Sequence, residues 1–195
     1  LARPGGNVTG ISLDLPGVIT KRLELLREIK PKARRIGLLG PGANAGVQAA
    51  FKSAKETGRA LGLDIRLLDA ADAATIARVF ERFSNEPVDA LLVTQVMLLH
   101  HRQIVELAAR HKLVAGYLDK EILATGGLLV FGPEHDAPYR HAADYVRRIL
   151  QGAKPAELPV MQPTEYWLGV NLRTARALGL TIPRSVLICA DDLIG

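Results

Sequence analysis

Short apolar runs bounded by turns and separated by helix-length amphipathic segments recur along most of this 195-residue chain, and that beat limits the folds open to it. The first clear unit is residues 34–50, RRIGLLGPGANAGVQAA. It holds an apolar run at 36–39, a glycine-rich turn at 40–46 and a helical pattern from Val47 onward. Strand, glycine turn and helix present unpaired backbone N–H groups and partial positive charge to whatever lies above the turn. Further strands are predicted at 64–68, 90–94, 114–118 and 128–131, with helices at 16–29, 45–61, 73–83 and 99–111. Pro31 and Gly62 stop two of these helices, and Asp72 is placed to cap another. Strands that alternate with helices and are apolar almost throughout are buried on both faces. The reading is therefore α/β, a doubly wound parallel sheet.

The ends of the chain break the rhythm. Residues 1–14 open on a Pro-Gly-Gly turn and continue as an alternating strand through Val8, Gly10 and Ile11. Beyond Gly132-Pro133, residues 139–151 form one amphipathic helix with Ala142, Ala143, Val146, Ile149 and Leu150 on its apolar face. A proline-punctuated connection, a strand at 166–170, a short helix at 172–178 and an irregular tail from Ile182 follow. These last pieces read as segments passing between two bodies, not as an extension of the series.

Composition excludes several classes. The net charge is +5, but the basic residues are scattered and only 5% of residues are aromatic, so no nucleic-acid surface is expected. The single cysteine, Cys189, rules out an intrachain disulfide and reads as a buried, inert thiol in the run SVLICA. No run approaches the ~18 apolar residues of a membrane span. The chain starts at Leu1, not Met, and so reads as a fragment or processed product whose missing leader proves nothing. His100 and His101 diverge around a helix, His111 is nearly three turns away, and His135 and His141 lie elsewhere. No metal or cofactor is expected from them. Neither a Gly-x-Ser-x-Gly elbow nor a pair of carboxylates at a plausible site is present. The chemistry is binding, not catalysis.

Several blocks, LARPGGNVTGIS, ELLREIKPKARRIGLL, IVELAARHKL, the GG-LLVFGP turn, YRHAADYVRRILQGAKPAELPV-QPT and NLRTARALGLTIP, occur together and in this order. In this the chain resembles the ABC-transporter substrate-binding family related to tryptophan- and phenylalanine-binding lipoproteins. The resemblance implies the type I periplasmic-binding-protein fold, in which two α/β lobes joined by crossovers hold a ligand between them. It makes residues 1–17 an inter-lobe crossover and 18–133 the second, Rossmann-like lobe. Residues 134–165 then return to a mostly missing first lobe, and 166–195 cross back and end in the tail. An N-terminal segment of the family is absent. The exposed helix of such a fragment could lead to self-association. The implied role is capture of an amino acid or related carboxylate by hinge closure at 10–12, 132–133 and 164–167, and delivery to an ABC permease. The implied place is the periplasm, free or anchored outside the inner membrane, with membrane contact only through the transporter or a lost N-terminal anchor.

Ligands of open α/β sheets sit beyond the carboxyl ends of the strands. That rule selects the loops at 40–44, 94–97, 117–120 and 131–134. Gly42 permits close backbone approach. Asn44 offers a side-chain amide or caps its helix. Tyr117 stacks on a ligand or belongs to the core, and Asp119 receives an ammonium group or serves as a cap or solvated charge. Thr94 and Gln95 stand where the family's second lobe puts polar contacts, and Gly132 joins both the site and a hinge. A β-branched residue at 132 is expected to weaken binding and spare the fold. The chain departs from the family in two loops: GPGANAG replaces an Asn-Pro turn, and TQVMLL replaces a polar stretch after ALLV. The alternative is an NAD(P)-dependent oxidoreductase using the glycine turn, with Asp69 as ribose ligand. Against it stand imperfect spacing, Pro41 in the turn and no catalytic pair.

Overall fold

In a computed structural model of the chain, residues 4–12, 15–134 and 136–195 are described. They divide into two compact units, one containing 4–12 and 133–166, the other 16–132 and 167–195. The larger unit begins with helix α1 (Leu15–Ile29). The series β1 (Arg35–Gly40), α2 (Ala45–Leu61), β2 (Asp64–Asp69), α3 (Ala73–Glu81) and β3 (Ala90–Val93) follows. It continues through α4 (His101–Arg110), β4 (Val114–Tyr117), α5 (Glu121–Ala124) and β5 (Leu129–Pro133). After α6 (Asp136–Leu150) in the smaller unit come β6 (Tyr166–Asn171), α7 (Leu172–Ala177), α8 (Arg184–Cys189) and β7 (Asp192–Ile194).

Among the described residues, seven strands form a sheet in the order β2-β1-β3-β4-β5-β6-β7. The pairs β1–β2, β1–β3, β3–β4, β4–β5 and β6–β7 are parallel. Strand side chains alternate between faces, so the sheet needs cover on both. Ile36, Leu38, Ala90, Leu92, Val114 and Leu129 pack under α1 and α2. Leu39, Leu91, Val93, Ala115, Tyr117 and Val130 pack against α3, α4 and α5. The helix ends follow their sequence signals. Asn44 Oδ1 accepts the Val47 N–H at 3.1 Å, Asp72 and Thr75 form a reciprocal capping box, and Gly62 closes α2 with φ 67°.

The structure corrects three expectations. No strand forms among the described residues of the N-terminal segment. It makes a single parallel bridge, Ile11 to Met161, supported by Thr9 Oγ1 donating to the Leu158 carbonyl at 2.7 Å. The pieces after residue 165 do extend the βα series: β6 and β7 lengthen the sheet, and α7 and α8 pack on its first core. The strand read at 166–170 and the helix read at 172–178 form as β6 and α7, whereas α8, of six residues, and β7, of three, are too short for periodicity to register. Cys189, third, is exposed, because SVLICA belongs to a short helix whose inward residue is Val186, not to a buried strand.

In the smaller unit, Tyr145 and Leu158 are buried, and the Tyr145 hydroxyl donates to the Pro159 carbonyl. Tyr139, Val146 and Leu150 of α6 are exposed. No helix among the described residues is long and apolar enough to cross a membrane.

Two buried polar anchors give predictions. Asn171, 5% exposed, accepts the Thr174 N–H at 3.0 Å and donates to the Leu123 carbonyl at 3.0 Å, joining β6 and α7 to α5. Asn171→Ala strands both partners and should cost about 1–3 kcal/mol in denaturant unfolding. Asp89 Oδ2 accepts the N–H groups of Arg34 and Arg35, each at 2.8 Å. Desolvation raises its carboxyl pKa, but those two N–H bonds and the nearby Lys30 and Arg35 outweigh it and leave the pKa lowered. A lowered carboxyl pKa gives stability that is present above the unfolded carboxylate range and lost as pH falls through the folded value. The acid limb of stability against pH should therefore be shallower in Asp89→Asn than in the wild type.

Candidate functional site

With strand order 2-1-3-4-5, the chain reverses its direction of sheet growth between β1 and β3, and crevices at such switch points open beyond the carboxyl ends of the strands. The residues that end β1, β3, β4 and β5 all lie along this edge of the larger unit. Thr94 follows β3, and its hydroxyl donates to the Leu39 carbonyl at 2.8 Å, tying β3 to β1. A Cβ on Gly40 would collide with that hydroxyl, so glycine is needed for the close approach.

The glycine turn after β1 satisfies itself. The Gly42 N–H donates to Asp69 Oδ1 at 2.7 Å, and the Gly42 carbonyl accepts from Gln48 Nε2 at 2.6 Å. The Asn44 side-chain oxygen serves as helix cap. The Gly42 N–H and carbonyl and the Asn44 side-chain oxygen are therefore already engaged at the edge. The same contact removes the basis of the dinucleotide alternative, since the would-be ribose carboxylate of Asp69 is bound to the turn.

The loops after β3 and β4 are different in character. Thr94, Met97, His101, Tyr117, Asp119 and Ile122 line a common crevice too narrow to admit a water molecule. Gln95 is exposed and starts a 3₁₀ segment, Gln95–His100, on which Val96 and Leu99 are 48% and 93% exposed. Tyr117 is 1% exposed and belongs to the core under α4 and α5, where burial pushes its hydroxyl pKa up. Asp119 is 2% exposed, which excludes the solvated-charge reading. Gly132, at the end of β5, is buried with no room for a side chain.

Sequence reasoning missed Arg22. It lies on the apolar stripe of α1 made by Val18, Ile19, Leu23, Leu26 and Ile29, and it is 2% exposed. Its Nη2 donates to the Val93 carbonyl at 2.8 Å and to the Gly116 carbonyl, at the ends of β3 and β4. Its Nε is buried without a partner. Burial pulls the guanidinium pKa down to about 9, against the opposing pull of Asp119 and Tyr117. A charged residue at i+3 and i+4 from buried apolar ones was the available signal.

The histidines are dispersed. His101 Nδ1 bonds to the Leu98 carbonyl at 2.7 Å, and His111 packs edge-on against Phe83, while His135 lies outside the described residues. Among the described residues, no group of three His, Cys, Asp or Glu side chains is placed to hold a metal ion.

The structure overturns the expectation that a β-branched residue at 132 spares the fold. A Cβ there would stand 2.6 Å from the Leu118 carbonyl oxygen, a backbone atom that cannot swing away. Gly132→Val should lower unfolding free energy by about 1–3 kcal/mol, read as a fall in both denaturant midpoint and Tm.

Comparison with known proteins fits this architecture. The tyrosine-binding protein of Clostridioides difficile (strain R20291) is 22% identical over 182 residues, which are 92% of this chain and 52% of that protein. A Streptococcus pneumoniae ABC domain solved in complex with L-Trp superposes with a TM-score of 0.86 at 25% identity, covering 100% of this chain and 67% of that one. A conserved domain protein from Vibrio cholerae O1 biovar El Tor superposes with a TM-score of 0.87 at 24% identity, covering 97% and 64%. The chain thus spans about half the length of the curated relative and about two thirds of these structures. The fold is that of type I periplasmic binding proteins, and the family consists of binding proteins, not enzymes. The family described as ABC transporter substrate binding protein matches residues 1–194, and the chain belongs to it.

Proposed function

We propose that the chain is the ligand-capturing part of an ABC importer receptor for an amino acid, with aromatic side chains the first class to test. The observation that carries this reading is the buried Asp119 carboxylate at the carboxyl edge of the sheet, beside Thr94 in a crevice walled by Met97 and Ile122. A carboxylate there suits an ammonium group, and the apolar wall suits a hydrophobic side chain. The relatives support the amino-acid class, since one is named for tyrosine and another was solved with L-Trp. Thr94 and Gln95 add polar contacts. Gly42 shapes the rim through its backbone, its N–H held by Asp69, and Asn44 caps its helix with its side-chain oxygen and offers its amide N–H groups to the ligand. The crevice must widen to admit ligand. The 3₁₀ segment Gln95–His100 is the wall that gives, because short 3₁₀ turns are held by weaker hydrogen bonds than α-helix.

In this reading residues 10–12, 132–133 and 164–167 are hinges between two lobes. The ligand stabilises the closed form, which a membrane permease then recognises, outside the cytoplasmic membrane in a free or lipid-anchored receptor.

Thermal-shift and calorimetric titrations test the reading on the natural full-length product. A panel of L-tryptophan, L-tyrosine, L-phenylalanine, branched amino acids, aromatic carboxylates and NAD(P)(H) covers the alternatives. An aromatic amino acid should raise Tm by mass action, and Asp119→Asn should weaken its binding about tenfold or more. A shift with a dinucleotide alone would overturn the receptor.

A further inference from the structure

We infer that the amino edge of the sheet, at the far end of the larger unit from the crevice, is a basic surface that docks on the phosphate headgroups of an anionic lipid bilayer. The receptor reading above supplies only the setting beside a membrane. No part of the surface depends on which ligand is bound.

The basic residues are scattered in sequence, and the fold collects them. Strands β1 to β5 are parallel neighbours, so the segments that lead into them share one end of the larger unit. Lys30, Lys32, Arg34 and Arg35 stand before or at the start of β1, and Arg110 and Lys112 before β4. Arg59 lies in the last turn of α2, just ahead of β2. The segments also touch: the Asp64 N–H donates to the Arg34 carbonyl at 2.7 Å, and Lys30 Nζ donates to the Asp89 carbonyl at 2.9 Å. The C-terminal helices reach the same end. The Asn171 N–H donates to the Leu128 carbonyl at 2.9 Å, and Thr174 Oγ1 to the Gly126 carbonyl at 2.9 Å, just ahead of β5. Ser185 Oγ meets Glu28 Oε2 at 2.7 Å in the last turn of α1. Arg173, Arg176 and Arg184 therefore join the group.

Helix dipoles explain only part of this charge. Arg59, Arg110 and Arg176 stand in last turns, where a cation is favourable. Arg173 and Arg184 stand in the first turns of α7 and α8, where it is not, and Lys30, Lys32 and Arg34 lie in a loop. Lys32, Arg34, Lys112, Arg173 and Arg184 are exposed, and among the described residues none of these five is in an ion pair. The acidic groups at this end are fewer and mostly engaged. Asp64 pairs with Arg66, Glu86 pairs with Arg82, and Asp89 holds the Arg34 and Arg35 N–H groups.

Like charges gathered on one edge repel, and an anionic partner relieves them. Seven strands make the edge about 30 Å long, which matches a plane of phosphates better than one small anion. No exposed aromatic side chain lies there among the described residues, so the stacking platform of a single-strand nucleic-acid surface is missing. Asp69, Asp72 and Glu121 stand at the opposite, carboxyl edge, so a negative surface would turn the crevice away from itself, towards solute.

The test is flotation of the natural full-length product with vesicles of phosphatidylcholine, with and without phosphatidylglycerol, at low and high salt. Binding should require the anionic lipid and fall about tenfold or more at high salt, which shortens the screening length. An acyl anchor inserts into either vesicle and is not released by salt, so these two effects separate docking from anchoring. Combining Lys32→Glu, Arg34→Glu and Lys112→Glu should lower the partition about tenfold or more. The same charge change away from this edge, Lys52→Glu with Arg102→Glu and Arg140→Glu, should lower it less than about threefold. Should the edge triple variant fail to fold, Arg173→Gln with Arg184→Gln is read in the same way. Equal partition onto both vesicles, an equal loss in both triple variants, or duplex DNA outcompeting the vesicles at equal phosphate concentration would overturn the surface and leave the receptor standing. Amino-acid binding, measured in the same preparations, should survive in the edge variants, and its absence from the wild type would bring down the receptor reading instead.

Discussion

A parallel sheet covered on both faces can place polar chemistry at the ends of its strands and almost nowhere else, and the larger unit is built around that constraint. Leu38 and Leu92 fill one core, Leu39 and Leu91 the other, and each of these side chains is at most 1% exposed. With both faces closed, the strand-end loops are where the chain is free to turn polar. Thr94, Asp119 and the Gly42 turn all occur there, at the edge where the sheet order reverses between β1 and β3.

Arg22 is the exception that breaches a core to reach this edge. It leaves α1 among apolar neighbours, crosses the layer and ends on the carbonyls of Val93 and Gly116. A buried cation of this kind adds little net stability, because desolvation offsets most of the attraction it gains. What it contributes instead is a tie between strands, since one guanidinium nitrogen serves the carbonyls of both Val93 and Gly116.

Much of this fold was legible in the sequence because its strong signals are redundant. The unit from β1 to α2 carries an apolar run, a glycine turn, an Asn cap and a closing Gly62, and each points to the same boundaries. The third helix was read as continuous from 73 to 83, and it ends at Glu81 in a 3₁₀ turn, a difference of one turn of hydrogen bonding. At the C-terminus the strand read at 166–170 and the short helix read at 172–178 form as β6 and α7, whereas α8, of six residues, and β7, of three, are too short to be recognised by period. The strand-end loops were legible as positions at the carboxyl edge of the sheet. The burial of Tyr117 was not, because it depends on how α4 and α5 close over the end of β4, which spacing alone does not show.

The glycine turn shows how a motif can be correct in form and silent in function. Residues 40–46 follow a strand and open a helix, as a phosphate-binding turn would. Yet Pro41 has no N–H to give, the Gly42 N–H goes to Asp69, and the Val47 N–H goes to Asn44. Donors committed within the turn cannot also hold a pyrophosphate without breaking those bonds. The loops after β3 and β4 differ in character from this turn. There the buried Asp119 and the exposed apolar Val96 and Leu99 stand within one short stretch of the edge.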